Sequence, residues 1–289
     1  MPTPTKAQLA AKAARNKLQR DLNKKIVANF AEYLNVVGLA LNKPVAVDKL
    51  LRDAADDLTS SLTSTTESAT KTALELAKQV KAADYAPLLK AAKVLLAGKE
   101  AQLVRLTELS SVSAIFGGGL DKKIVDSVWN KVWPDSLTVD KRIERLSTRV
   151  LEFTERTVKQ GISEGLSARN IANQLKDHFE TEGLEKKAAF RLAAHTTNMV
   201  YESANAAISI DAQFVKGIRI VRGMYGPMSE TCEICDEHGG QDFKEYLKEN
   251  GDDLAIMSDM PPYHSNCNCG VEDIVETAAE FIARARSEA

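Results

Sequence analysis

The sequence predicts a mainly α protein that ends in a small C-terminal α+β module. Three observations carry that expectation. Apolar residues recur at three- and four-residue spacing through most of the chain, as they do on one face of a helix. Aromatic content is only 6% while Ala, Leu, Lys and Glu abound, a mix that favours helix over sheet. Beyond residue 212 this rhythm gives way to β-branched residues, glycines and clustered cysteines.

The first expected helix runs from Gln8 to about Leu41, with Leu18, Leu22, Ile26, Phe30 and Leu34 as a drifting stripe. Pro44 interrupts it, and Asp48 is a good N-cap for a second helix. The Ser/Thr-rich segment 59–72 reads equally as a linker or a weak helix. Helices follow at 73–81 and 85–98, parted by a corner at Ala82-Ala83-Asp84-Tyr85, and another at about 100–112. Gly117-Gly118-Gly119 is a flexible joint and not a phosphate loop, because no Lys-Ser/Thr pair follows at the required spacing.

After Trp129, Trp133 and Pro134, an amphipathic helix is expected from Val139 to Gly161. Its core face is Ile143, Leu146, Val150, Phe153 and Thr157. Gly165 closes it, and Ser167 caps the next helix, in which Ile171 and Leu175 face inward. A third helix spans Leu184 to Asp211. The run Gly217 to Gly223 reads as a short strand, and Glu276 to Arg286 as a closing helix. The organisation expected is a helical region at 1–117, a long-helix region at 120–212, an α+β module at 213–275 and a C-terminal helix at 276–289.

A formal net charge of -2 gives the whole chain no bias towards nucleic acid or membrane. No apolar stretch approaches the roughly 18 residues of a membrane span, and the basic N-terminal segment lacks the apolar run of a signal peptide. That segment (Lys6, Lys12, Arg15, Lys17, Arg20, Lys24, Lys25) reads as a solvated basic helix with scope for weak, non-specific, salt-sensitive DNA contact. Synthesis in a reducing cytoplasm is expected.

All four cysteines fall between positions 232 and 269, as Cys232-x2-Cys235 and, later, His264-x2-Cys267-x-Cys269. A Cys-x2-Cys pair can turn both sulfurs towards one ion, and a second cluster with His completes a tetrahedral N/S shell of the kind zinc prefers. Disulfides fit a long cytosolic chain poorly. Unrelated buried cysteines would not cluster so closely, and a redox pair would need a thioredoxin-like βαβ setting, which is not evident. The expected ligands are Cys232, Cys235 and His264 with either Cys267 or Cys269. Cys267 is preferred because its spacing from His264 mirrors the first pair, and His238 is a fallback. The fold expected is therefore mainly α with a small C-terminal α+β zinc-binding module. Four protein ligands close the shell, which suits folding and not water activation.

The same string resembles the signature of the Mu-type phage minor head (head morphogenesis) proteins. It runs from Cys232-x2-Cys235 through Gly240 and Asp242-Phe243 to Pro261-Pro262-Tyr263-His264-Ser265-Asn266-Cys267-Asn268-Cys269. The middle helices are similar in rhythm, from Leu137 to Ile143 and from Gly161 to Leu175. The helix holding Thr196 and Asn205 matches loosely. The family shows Arg-Thr-Glu there, and this chain has His195-Thr196-Thr197. The resemblance covers about residues 120–275 and implies a low-copy virion component made in the host cytoplasm. It implies contact with the portal or capsid proteins, a place in the head interior or at the portal vertex, and action in head morphogenesis, DNA packaging or ejection, with no catalytic role.

The rival reading is a zinc-containing enzyme or toxin-related protein with activity in the N-terminal helical region. Cys235-Asp236-Glu237 imitates half a deaminase motif, but Cys267-Asn268-Cys269 has the wrong gap for the other half. Gly161-Ile162-Ser163-Glu164-Gly165 is a literal Gly-x-Ser-x-Gly, yet a helix leads into it where a nucleophile elbow needs a strand. His178 and His195 sit in helical contexts as surface or core residues. A nucleic-acid knuckle needs basic residues around its ligands, and segment 226–275 offers only Lys244 and Lys248 among many acids.

Overall fold

A computed structural model describes residues 6–42, 47–95, 120–133, 135–212, 214–222, 233–238, 260–263, 267, 269–277, 279–281 and 283. The chain is mainly helical. Its helices are α1 (Lys6–Ala40), α2 (Val47–Leu95), α3 (Leu120–Asn130), α4 (Val139–Ser163), α5 (Ala168–Asp177), α6 (Leu184–Asp211) and the short α7 (Glu233–His238). A π-helical turn, His178–Glu182, extends α5. Strands β1 (Val215–Val221) and β2 (Gly270–Val275) form an antiparallel pair near the C-terminus. None of the described helices is long and apolar enough to cross a membrane.

Two compact units divide the chain. One comprises Met1–Asn16, Thr70–Val128 and Thr197–Ala289; the other comprises Lys17–Ala69 and Trp129–Thr196. Helices α1, α2, α3 and α6 contribute residues to both.

The second unit is a helical core. Leu22, Ile26, Phe30, Tyr33 and Val37 of α1 meet Leu51, Leu58 and Leu62 of α2, Ile143 and Val150 of α4, and Ile171 and Leu175 of α5. The α1 stripe departs from the four-residue steps expected of it. Each such step drifts about 40° around a helix of 3.6 residues per turn, and the chain corrects this by shortening the step to Tyr33. Leu18 and Leu34 are only half-buried. Helix α4 behaves alike: Thr154 and Val158 carry the buried face where Phe153 and Thr157 were expected, and these are half-buried at its edge.

Helix α4 ends in a Schellman motif. Gly165 takes φ 71°, its N–H donates to Ile162 O, and Leu166 N–H donates to Gly161 O at 2.8 Å. Ser167 then caps α5, accepting the Asn170 N–H at 3.2 Å, as the sequence predicts. At Gly161 the two helices nearly touch, since a Cβ there would lie 2.5 Å from Ile171 Cγ1.

The corner expected at 82–85 is absent. Helix α2 runs unbroken through Ala82-Ala83-Asp84-Tyr85 and past Pro87. Alanine is the best helix former, and buried anchors at Lys81 and Tyr85 outweigh the local signal. The Ser/Thr-rich segment 59–72 is helix as well, with Thr66 returning its hydroxyl to Leu62 O. The break expected at Pro44, the helix at about 100–112 and the glycine joint at 117–119 lie outside the described residues.

The first unit packs its core around the sheet. Ile218 and Ile220 of β1 and Val271 of β2 join Tyr85, Ile208, Phe214, Met260 and Phe281. Lys216 and Arg219 project outward, and Arg219 pairs with Glu272 across the strands at 2.9 Å. The register sets Ile220 opposite Val271 and Ile218 opposite Asp273, with an irregularity between Val215 and Gly217.

Candidate metal centre

Strand β2 begins immediately after Cys269, and α7 carries Cys235. Cys267 lies two residues ahead of Cys269 on the approach to that strand. The sulfurs of Cys235, Cys267 and Cys269 all lie within 4.8 Å of one another, and all three residues are buried. Cys235 Sγ stands 3.7 Å from Cys267 Sγ. A disulfide requires about 2.05 Å, so no disulfide joins these two sulfurs. Two thiolates on one tetrahedral ion, each about 2.3 Å from it, stand about 3.8 Å apart by geometry.

One of these thiols is also chemically prepared. A hydrogen bond with the Cys269 side chain, opposed by burial and helped by backbone donors, brings the Cys267 pKa down to about 5. That shift favours the thiolate, the form that binds metal. A metal ion can therefore be held by this trio.

Sequence reasoning treated Cys267 and Cys269 as alternatives, and the structure brings both to Cys235. The preference for Cys267 rested on its spacing from His264; the approach to β2 delivers its neighbour as well. Cys235 lies in the short helix α7. Cys232 and His264 lie outside the described residues.

Buried polar groups fasten this region to the helices. Glu202 of α6, fully buried, accepts the Val271 backbone N–H at 3.0 Å. Its other oxygen lies 3.7 Å from Arg15 Nη1 of α1, and Arg15 Nε donates to Asn198 Oδ1 at 3.0 Å. Two residues along β2, Asp273 accepts Lys81 Nζ at 2.6 Å and the Tyr85 hydroxyl at 2.7 Å. The Ser209 hydroxyl lies 2.6 Å from the same carboxylate. Burial, with the Asp273 charge beside it, pushes the Tyr85 phenol far above its ordinary pKa, so it stays a donor.

Sequence reasoning missed these groups. Only an unusual run of polar residues among the alanines of α6, buried on every side, hinted at them.

The basic positions separate. Lys12, Lys17, Arg20, Lys24 and Lys25 are exposed along α1, whereas Arg15 is buried and belongs to the Glu202 cluster. Lys6 begins α1. The Gly-x-Ser-x-Gly serine ends a helix: the Ser163 hydroxyl donates to Gln160 O at 2.7 Å. His178 stacks on Phe153 at a centroid distance of 3.7 Å, and His195 packs on Trp133 at 4.3 Å, both in the unit without cysteines. Comparison of the chain with protein-family models, curated proteins and solved structures finds no match.

Proposed function

We propose that Cys235, Cys267 and Cys269 are three ligands of a structural zinc ion, with Cys232 or His264 completing the shell. The observation that carries this reading is the 3.7 Å spacing of two buried thiols beside a third. Sulfur ligands in tetrahedral array select zinc over hard cations such as magnesium or calcium. A closed shell of protein ligands leaves no position for a reacting water, so the ion ties α7 to the approach of β2.

We further propose that the protein is a minor head component of a phage particle. It binds the portal or the inner capsid surface and acts in head morphogenesis, DNA packaging or ejection. The Cys232-to-Cys269 string supports this through its resemblance to the Mu-type minor head proteins. The exposed lysines of α1 suit a weak additional contact with packaged DNA, while Arg15 takes no part in it.

Two measurements test these readings separately. Elemental analysis of the purified full chain should find one zinc per chain, lost in C235S, C267S and C269S alike; a metal-free wild type defeats the zinc reading. Mass spectrometry of density-purified particles should find a few copies beside the portal protein. Absence from particles and capsid precursors, with abundance in the lysate, defeats the virion reading and leaves the zinc site standing.

A further inference from the structure

We infer that Glu202 is the positioning residue of the metal centre, and that Arg15, near the opposite end of the chain, holds Glu202 in place for that task. The inference rests on the zinc reading above and concerns how three sulfurs from two separate segments come to converge.

Cys267 and Cys269 reach Cys235 only if the chain enters β2 along one path. That path is set at Val271, two residues past Cys269, where the backbone N–H donates to Glu202 Oε2 at 3.0 Å. Val271 also pairs with Ile220 across the sheet. The Glu202 bond comes from outside the sheet and acts on the backbone itself, so it fixes the strand's height above α6 whatever the side chains do. A carboxylate bond to a backbone amide is of the stronger, charge-assisted kind.

Such a carboxylate is costly. Glu202 has 0% exposure and Arg15 only 5%, and an isolated buried charge is strongly unfavourable even after relaxation. Arg15 neutralises it from 3.7 Å and is itself oriented by Asn198, one helical turn before Glu202 on α6. A core needing only stability would do as well with apolar residues of the same volume. A directed acceptor facing Val271 does something apolar residues cannot, which is to hold a backbone segment in register. The Lys81–Asp273 pair makes a second fastening farther along the same strand. Glu202 is the fastening nearer to the thiols.

Groups that orient metal ligands from the next layer out typically alter affinity by roughly 10–100-fold. The test uses the full-length chain with Co2+ as probe, read by chelator competition and by the thiolate-to-cobalt absorption per bound ion. E202A should weaken Co2+ binding within that range and reduce the absorption, because fewer sulfurs reach the ion. E202Q should lose less, since its amide oxygen can still accept from Val271. R15M should fall between them. T154V removes a buried hydroxyl in the other unit; it should lower thermal stability and leave cobalt affinity unchanged.

If E202A and R15M bind Co2+ with wild-type affinity and absorption, the inference is overturned and the metal reading stands. An equal loss in T154V overturns it too, by reducing the effect to general destabilisation. A wild type that takes up no Co2+ overturns the metal reading itself. Should E202A fail to fold, E202Q and R15M decide the matter by the same criteria.

Discussion

At the scale of single residues, polar side chains do the directing and apolar ones the filling. Glu280 illustrates the first. Its carboxylate accepts the Thr277 backbone N–H at 2.8 Å, while Thr277 Oγ1 accepts the Glu280 N–H at 3.2 Å, a reciprocal capping box. The backbone bond first, then Lys216 and the Thr277 hydroxyl, holds its pKa at about 2, below the ordinary 4.5. A carboxyl whose pKa is depressed by folding stabilises the fold above its ordinary value, and the contribution fades as pH falls through the folded value. The cap should therefore persist at pH 5 and open between about 4.5 and 2. Side-chain carboxyl NMR should give Glu280 a midpoint near the lower figure, and T277A should return it towards the ordinary one. An ordinary midpoint in the wild type would show that the box does not form in solution.

Between elements, the tightest contact described for a glycine is that of α4 on α5. Gly161→Ala gains helix propensity, up to roughly 1 kcal/mol. It also drives a methyl to 2.5 Å from Ile171 Cγ1, and overpacking of this kind costs about 1–3 kcal/mol. The β-branched neighbour has little rotamer freedom with which to yield, so the penalty should win by about 1–2 kcal/mol. In an I171A background the same substitution should become neutral or stabilising. Equal effects of G161A in both backgrounds, measured by denaturant unfolding, would refute the contact.

This pair also marks what the sequence makes legible. Helices α4 and α5 are readable because their periodicity is strong and their ends carry Gly165 and Ser167. The continuity of α2 is not readable, because what overrides the local signal at 82–87 is contact from β2, nearly two hundred residues away. The thiol cluster is readable by spacing. The arrival of both Cys267 and Cys269 is not, since it depends on contact with Cys235, which for Cys267 is 32 residues away in sequence. Glu202 and Arg15 are invisible for the same reason: an ion pair across such a separation leaves no periodic trace.

For the molecule as a whole, the two units differ in what holds them. The unit of Lys17–Ala69 and Trp129–Thr196 has aliphatic and aromatic packing from five of the described helices, with Phe30 and Tyr33 both against Phe179. Among its described residues, the other unit builds part of its core from the three thiols themselves, around a sheet of two strands. A two-stranded sheet is marginal without further support, and binding energy at a structural ion is folding energy. Stripping the ion with a chelator should thus release strands β1 and β2 first, because the folding energy that the ion supplies is lost there. Hydrogen exchange is the direct readout. Amides of Val215–Val221 and Gly270–Val275 should lose protection on chelation and regain it with added zinc, while those of Val139–Ser163 and Ala168–Asp177 keep theirs. Strand amides that stay protected without metal would mean that the Glu202 and Asp273 fastenings suffice alone, and that the ion serves some purpose other than folding.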